Sequence, residues 1–306
     1  MKIIGVVGPT AVGKSALALE LAKEYNGEII SCDSMQIYKG MDIGTAKPTK
    51  EEMLSFPHHL IDIKEPDENF SCADYATLAK NCIEDIRQRG KTPIFCGGTG
   101  LYLDSVLEIP SFCESAKDEN YRKELEEFVK VHGAEELHKM LEEVDEISAK
   151  STHANNIKRV IRALEIYKCT GIPKSEWDRR SKETPPPYES EIFFLNYSDR
   201  AALYSKIDLR VDIMIKNGLL DEARALYEKG MLKDNFTSYG AIGYKEFIPF
   251  FQGACSLNDC IERIKTSTRQ YAKRQLTWFC RNGRYHTIYV DKCDALTYIK
   301  DFFANN

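Results

Sequence analysis

The chain has 306 residues, of which 43% are hydrophobic and 29% are charged, and its formal net charge is −5. This length suits one large domain or two smaller ones, and the composition is typical of a soluble globular protein. The negative charge excludes a uniformly basic nucleic-acid coat protein, although a local basic patch is compatible with it.

Membrane segments and cysteine patterns exclude several further classes. No stretch approaches the roughly 18 apolar residues of a membrane span, and the first apolar run is too short for a signal peptide. The ten cysteines are scattered without a C-x-x-C pair, which argues against a metal site and against a disulfide framework. We therefore expect a cytoplasmic protein with reduced thiols and no membrane partner.

The first hundred residues predict alternating strands and helices. "KIIGVV" is typical of a buried parallel strand, and "SALALELAKEY" has helical spacing up to the break at Asn26-Gly27. "EIISCD" predicts a second strand, "CADYATLAKNCIEDIRQRG" a helix that Gly90 ends, and "TPIFCGG" a third strand. This alternation predicts an α/β fold with a parallel sheet flanked by helices.

From about Pro110 the pattern changes to polar helices. Residues 117–146 predict acidic helices, "NNIKRVIRALEIYKCTG" predicts a helix with basic residues on one side, and residues 172–189 are expected to be irregular because of Pro185–Pro187. "EIFFLNYS" then predicts a strand, and further helices lead to a last strand at "HTIYVD". We predict a phosphate-loop core at residues 1–110 and 188–306, interrupted by a helical insertion domain at residues 111–187.

The run "GPTAVGKS", Gly8 to Ser15, fits the phosphate-loop pattern G-x-x-x-x-G-K-[ST]. It follows an apolar strand and opens an amphipathic helix, which is the context in which this pattern binds phosphates. Backbone amides and the helix N-terminus attract an anion, Lys14 supplies a cation, and the Ser15 hydroxyl is suited to Mg²⁺. The sequence therefore predicts a phosphate site here.

Polar groups follow two later strands. The chain lacks the N-K-x-D of guanine recognition. Hydrolytic ATPases carry an Asp at the end of a later strand, whereas the candidate here, Asp33, follows the second strand, where a general base is suited to face an acceptor. An Asp that only caps a loop is the alternative. Thr99, in "CGGTGLYL", either offers a hydroxyl to the same crevice or caps the next helix.

Positive charge is concentrated in two segments. Seven Lys or Arg residues and one acid lie between Glu262 and Arg284, and Lys265, Arg269 and Lys273 have the spacing of one helical stripe. The second cluster, in the insertion, contains Lys158, Arg159 and Arg162. These clusters favour local nucleic-acid binding, and a solvated helix surface is the alternative.

Taken together, seven segments resemble blocks of the tRNA dimethylallyltransferase (tRNA isopentenyltransferase) family, in the family's order. They are "GPTAVGKS", "ISCDSMQIYKGMDIGTAKP", "PHHLID", "GGTGLY", "NNIKRVIRALE", "SYGAIGYKE" and "YAKRQLTWF". The resemblance spans nearly the whole chain, and its second and last blocks are highly specific. It implies a bacterial-type enzyme, because the zinc-finger extension of the eukaryotic members is missing from the sequence.

The implied reaction transfers a dimethylallyl group from dimethylallyl diphosphate to the exocyclic amine of adenosine 37 and releases diphosphate. The phosphate loop would then hold the diphosphate of the donor rather than ATP, with Mg²⁺ as cofactor. The implied partner is the anticodon stem-loop of tRNAs that read codons starting with U. We expect the enzyme to be a monomer.

The resemblance also implies a site for each matching residue. Asp33, Lys14 and Thr99 are the expected catalytic residues, and Ser15 is the expected Mg²⁺ ligand. The expected diphosphate-binding residues are Gly8, Pro9, Thr10, Ala11, Val12, Gly13, Lys14, Ser15 and Arg210. The expected tRNA-binding residues are Asp33, Ser34, Met35, Gln36, Thr99, Arg122, Lys158, Arg159, Val160, Ile161, Arg162, Gly240, Ala241, Ile242, Gly243, Tyr244, Lys245, Lys273, Arg274, Gln275, Leu276, Thr277, Trp278, Phe279 and Cys280.

One position departs from the family pattern. Cys280 stands where the family more often has Arg, so a phosphate contact is either displaced to Arg281 or lost.

Three other functions are alternatives to the one that the resemblance implies. An adenylate isopentenyltransferase shares the phosphate loop and the early Asp, but does not need the basic insertion helix. A small-molecule kinase would hold ATP in the loop, and a non-enzymatic RNA-binding module would bind tRNA without making a product.

Overall fold

The computed structural model describes residues 2–107, 118–183 and 185–306. The chain divides into two compact units, Met1–Val106 with Tyr188–Asn306, and Leu107–Pro187. The predicted domain boundary at residues 110 and 111 lies outside the described residues. None of the helices in these ranges combines the length and apolar character needed to cross a bilayer.

The first unit is built on a parallel sheet. Along the chain, helices lie between its strands and after the last strand. In the described residues the strands are β1 (Ile3–Val7), β2 (Gly27–Ser31), β3 (His58–His59), β4 (Thr92–Gly97), β5 (Ser190–Asn196) and β6 (His286–Tyr289). The helices are α1 (Lys14–Glu24), α2 (Lys50–Ser55), α3 (Cys72–Gln88), α4 (Gly100–Leu107), α5 (Glu119–His132), α6 (Ala134–Val144), α7 (Glu146–Ser151), α8 (Ile157–Thr170), α9 (Lys174–Glu183), α10 (Arg200–Lys216), α11 (Leu219–Glu228), α12 (Ile248–Phe251), α13 (Leu257–Phe279) and α14 (Ala295–Asn305).

The strand order is β3-β2-β4-β1-β5-β6, and every pair of neighbours is parallel. The predicted α/β fold is therefore confirmed, as are the five strands expected from the sequence. The edge strand β3 was not predicted, because two residues are too few to show a period. Since parallel strands end at one edge, the loops after β1, β2 and β4 are brought together there.

A large apolar core fixes the helix that follows the phosphate loop. Helix α1 buries Leu17 and Leu21, one turn apart, against the sheet residues Ile4 and Val6, and Ile299 of α14 joins the same core. Burial of a leucine side chain contributes about 1.5–3 kcal/mol. The N-terminus of α1 is thus held at the sheet edge where the loops meet.

The second unit is helical, as predicted for the insertion, and contains α5 to α9. Its core is made by Leu125 of α5, Leu137 and Leu141 of α6, and Val160 and Leu164 of α8. Leu137 and Leu141 of α6, and Val160 and Leu164 of α8, recur at helical spacing, which agrees with the helices predicted for these two segments.

The prediction that residues 172–189 are irregular was wrong, because Lys174–Glu183 forms helix α9. Ion pairs at helical spacing stabilise it: Glu176 pairs with Arg179 and Arg180, and Arg179 also pairs with Glu183. The three prolines that follow end the helix and do not prevent it.

Candidate functional site

The phosphate loop connects β1 to α1. Its backbone takes left-handed conformations at Ala11 (φ 65°) and at Gly13 (φ 95°), which directly precedes the helix. The Lys14 ammonium donates a hydrogen bond of 2.8 Å to the Pro9 carbonyl, so it lies folded over the loop. This is the arrangement expected of a loop that wraps an anion with amides, a helix N-terminus and one cation.

A glutamine of α13 fastens the phosphate loop from outside the motif. The buried Gln275 accepts a hydrogen bond from the Thr10 amide (2.9 Å) and donates one to the Gly98 carbonyl (3.0 Å). One side chain therefore joins the loop after β1 to the loop after β4. Gln275 was expected from the resemblance to bind tRNA, and the structure gives it these two loop contacts.

The turn after β2 carries Asp33. Its Oδ1 accepts a hydrogen bond from the Met35 amide (2.9 Å), while the hydrogen bonds of the described residues leave Oδ2 unused. The Thr99 hydroxyl accepts from the Ser34 amide (3.1 Å) and donates to the Ser34 hydroxyl (3.3 Å). Asp33 thus caps its own loop through one oxygen, and Thr99 fixes that loop to the start of α4.

These loops open onto one cavity of about 250 Å³. It is lined by predicted residues from five separate segments, which the fold brings together. Those predicted residues are Thr10, Lys14, Ser15, Asp33, Ser34, Met35, Gln36, Arg210, Gly240, Ala241, Ile242, Gly243, Arg274 and Gln275.

The cavity is electrostatically suited to an anion. Burial lowers the pKa of Lys14 to about 8, with Cys96 opposing the shift, Arg210 adding to it and Asp33 opposing it. Burial also lowers the pKa of Arg210, and Asp33 opposes that shift. Together with Arg274, the lining therefore holds three basic side chains against one acidic side chain. An anionic ligand would offset the unfavourable burial of the cations.

An apolar wall completes the cavity, and of its residues only Ile242 was among the predicted site residues. Val211 and Met214 of α10 follow Arg210, and Leu219, Ile242 and Ile264 line the same space. The sequence offered one signal, because Arg210 and Met214 lie four residues apart on a helix and so share a face. Leu219, Ile242 and Ile264 come from other segments, and only the fold brings them next to α10.

Tyr271 and Cys96 also line the cavity, and neither was predicted as a site residue. Burial raises the pKa of Tyr271 above its ordinary range, the Asp33 charge adds to this, and a hydrogen bond with Thr99 opposes it. The Tyr271 phenol thus lies near the Asp33 carboxylate and the Thr99 side chain.

The basic stripe on α13 is partly used within the protein. Lys265 pairs with Asp212 (2.9 Å) and Arg269 with Asp208 (2.6 Å), both on α10. Lys273 is exposed to solvent. Lys265 and Arg269 of the stripe therefore join α13 to α10, and Lys273 is the stripe residue that is available to a ligand.

The C-terminal block contains buried and exposed residues. Leu276 and Phe279 are buried, whereas Thr277 and Cys280 are exposed. Arg281 pairs with the Asp104 carboxylate (2.9 Å) and stacks on the Trp278 ring, with 3.6 Å from guanidinium carbon to ring centroid. The guanidinium next to Cys280 is thus held by an internal carboxylate.

Predicted residues of the second unit lie on α5 and α8. Lys158 and Arg159 are exposed in the first turn of α8, whereas Val160 and Ile161 are buried in the core of that unit. Arg122 and Arg162 both bind the carboxylate of the fully buried Glu165. The two apolar residues therefore support the helix that presents the basic ones.

Comparison with known proteins gives consistent results. The family described as IPP transferase matches residues 36–282. A tRNA dimethylallyltransferase of Bacillus pumilus is 52% identical over 277 residues, covering 90% of this chain and 86% of its own. The crystal structure of a tRNA isopentenylpyrophosphate transferase from Bacillus halodurans is 44% identical with a TM-score of 0.73, covering 99% of this chain and 96% of that one. The structure of a eukaryotic dimethylallyltransferase acting on tRNA is 33% identical with a TM-score of 0.85, covering 100% of this chain and 80% of that one.

Proposed function

The chain belongs to the IPP transferase family, and we propose that it transfers the dimethylallyl group of dimethylallyl diphosphate to the exocyclic amine of adenosine 37. The proposed acceptors are tRNAs that read codons starting with U. One observation carries this proposal: a single cavity is lined by the phosphate loop, by the Asp33 carboxylate and by an apolar wall. These features match a diphosphate, an amine nucleophile and a hydrocarbon chain.

The donor would bind with its diphosphate at the phosphate loop. Lys14 and Arg210 supply positive charge there, and the amides at the N-terminus of α1 supply hydrogen bonds. Val211, Met214 and Ile264 offer the five-carbon chain a dry surface, which also keeps water from a developing carbocation.

Magnesium fits this site through oxygen ligands. Ser15 and Asp33 line the cavity, whereas the described residues contain no group of three His, Cys, Asp or Glu side chains arranged to hold a metal. The Ser15 hydroxyl would hold Mg²⁺ together with oxygens of the diphosphate itself. The ion would supply charge neutralisation of the leaving group.

The reaction exchanges a carbon–oxygen bond for a carbon–nitrogen bond and moves one proton away from the amine. The allylic carbon–oxygen bond breaks, the electron pair leaves with diphosphate, and the adenine nitrogen forms the new bond to the allylic carbon. Asp33 accepts the proton of the amine, and Lys14 and Arg210 stabilise the charge that grows on the diphosphate. Such preorganised electrostatics usually make the largest contribution to the rate.

The acceptor must leave its base stack to reach Asp33. Extrusion of a nucleotide costs a few kcal/mol, which contacts to the flanking RNA offset. Exposed basic residues in both units, Lys158, Arg159, Lys273 and Arg274, are suited to bind the backbone phosphates.

The test is to incubate the protein with Mg²⁺, labelled dimethylallyl diphosphate and either unmodified tRNA or free AMP, ADP and ATP. We expect label on a tRNA adenosine and none on the free nucleotides. Label on free nucleotide would instead assign the chain to the adenylate-prenylating relatives. ATP turnover without RNA would indicate a kinase, and tRNA binding without product would indicate a binding module.

A further inference from the structure

A carboxylate outside the cavity lining binds one of its walls. Glu222, in the first turn of α11, accepts hydrogen bonds from three consecutive backbone amides, those of Asp42 (3.0 Å), Ile43 (2.9 Å) and Gly44 (3.1 Å). Successive amides that converge on one anion form a nest. The Tyr244 hydroxyl donates a fourth hydrogen bond to Glu222, at 2.7 Å.

Tyr244 and Gly44 lie against each other at this carboxylate. Burial, together with the charge of Glu222, raises the pKa of Tyr244 well above its ordinary value, so the phenol stays protonated and donates. A Cβ atom at Gly44 would lie 2.6 Å from the Tyr244 ring, so a side chain there would separate the two segments. Glu222 therefore joins residues 42–44 to the segment that ends at Tyr244.

Both segments continue into the cavity. Gly44, Thr45 and Ala46 line it on one side of the nest, and Gly240–Gly243 precede Tyr244 on the other. The first segment is also tied to the Asp33 turn, because the Gln36 amide group donates to the carbonyls of Thr45 and Ala46, each at 3.2 Å.

The Gln36 carbonyl oxygen in turn accepts a hydrogen bond from the Ser31 hydroxyl (2.9 Å), at the end of β2. A continuous set of hydrogen bonds thus runs from Glu222 through residues 42–46 and Gln36 to the end of β2, directly before the Asp33 turn. The phosphate loop has a different attachment, through Gln275.

From these contacts we propose that Glu222 is a positioning residue for the acceptor adenine. It holds residues 42–46 and Tyr244 in place, and this wall sets the position of the extruded base beside Asp33. Among the described residues Glu222 makes no hydrogen bond to the phosphate loop, so we do not expect it to position the diphosphate of the donor. This inference rests on the proposed function, since it names the substrate that the wall positions.

Glu222→Gln tests the inference. The NH2 group of the glutamine side chain donates hydrogen bonds and would face backbone amides that also donate. We expect KM for tRNA to rise about tenfold, as for one lost hydrogen bond to a charged group, with KM for dimethylallyl diphosphate unchanged. We also expect faster hydrogen exchange at the amides of residues 42–44, measured by mass spectrometry. The matched control is Glu228→Gln, an exposed glutamate at the other end of α11, which should leave both KM values and the exchange unchanged.

Several results would overturn the inference. Wild-type KM for tRNA despite faster exchange, or a lowered melting temperature with both KM values unchanged, would show that Glu222 serves stability alone. Equal rises in both KM values would show that it does not act on the acceptor selectively. If Glu222→Gln does not fold, Tyr244→Phe provides the test, with a smaller rise in KM for tRNA expected and an unchanged value contradicting the inference.

Failure of the proposed function gives a different result. In that case wild-type protein transfers no label to tRNA, whereas the inference fails only if the wild type is active and the variants match it.

Discussion

At the scale of single residues, Lys14 and Asp33 owe their expected chemistry to their surroundings. Lys14 lies half-buried near a second cation, Arg210, and one carboxylate, Asp33, lies near both. A diphosphate placed there would restore the balance of charge. The binding site is therefore electrostatically unsatisfied until an anion enters it.

The affinity for diphosphate should depend on pH through Lys14. Its pKa of about 8 means that the protonated, anion-binding form is lost as pH rises through 8. We expect Kd to be nearly flat below that pH and to rise by up to about tenfold per pH unit above it. Calorimetric titration of inorganic diphosphate from pH 6.5 to about 9.5 measures this, over the range in which lysine, but not arginine, can lose its proton.

Lys14→Arg is the matched control, because arginine keeps its charge throughout that range. Because both proteins bind the same ligand, the ratio of their Kd values at each pH cancels the effect of the ionisation of diphosphate itself. Parallel curves for the two proteins would exclude Lys14 as the titrating group.

Asp33→Asn should slow the chemical step. A positioned general base typically contributes about 10²–10⁴-fold, so we expect single-turnover transfer to fall by at least about 10²-fold while tRNA affinity is unchanged. Rapid-quench measurements with saturating substrates test this. Asp67→Asn, at an exposed position, is the control. An unchanged rate for Asp33→Asn would remove this residue from the mechanism.

At the scale of elements, basic residues predicted to bind a ligand also join helices. Lys265 and Arg269 of α13 pair with acids of α10, and Arg122 and Arg162 connect α5 and α8 through Glu165. Hydrogen bonds and charges from these partners lower the pKa of Glu165 although burial by itself would raise it. The pairs with Glu165 fix the orientation of two guanidinium groups, and the side chains of Arg122 and Arg162 remain 38% and 30% exposed.

Glu165→Gln should therefore destabilise the protein and weaken tRNA binding together. Breaking a buried ion pair costs about 3–5 kcal/mol, and the partial exposure of both arginines reduces our expectation to about 1–3 kcal/mol. Urea unfolding measures the stability, and filter binding measures the tRNA affinity. The control is Glu127→Gln, which breaks the exposed pair with Lys130 and should have no measurable effect. Equal effects of Glu165→Gln and Glu127→Gln on stability and tRNA affinity would show that Glu165 does not hold Arg122 and Arg162 for tRNA binding.

At the scale of the whole molecule, a chain of net charge −5 must bind a polyanion through local clusters. Such binding weakens with salt in proportion to the number of phosphates contacted. The exposed residues Lys158, Arg159, Lys273 and Arg274 are the candidates for these contacts.

The salt dependence of tRNA binding should report these contacts one at a time. Each of Lys158→Ala and Lys273→Ala is expected to reduce the slope of log K against log salt by about 1. Binding at salt concentrations between about 50 and 200 mM covers the range in which this term is large. Lys50→Ala, at an exposed position on α2 outside both clusters, should leave the slope unchanged. If neither Lys158→Ala nor Lys273→Ala changes the slope, the tRNA phosphates do not contact these two clusters.

The sequence by itself determined the α/β fold, the family and the phosphate loop. These properties are local: strands and helices follow from short periodic patterns, and the phosphate-loop pattern of Gly8–Ser15 occupies eight consecutive residues. The prediction was wrong at residues 174–183, because ion pairs at helical spacing stabilise a helix there although three prolines follow it.

Only the tertiary structure decided which distant residues share the cavity. The apolar wall, Tyr271 and Gln275 lie far along the chain from the phosphate loop, and the contact of Glu222 with residues 42–44 spans about 180 positions. Contacts of this kind depend on how helices pack on the sheet, which no local periodicity specifies. The same reason explains the basic stripe on α13, whose spacing predicted a common face but not the acids of α10 packed against it.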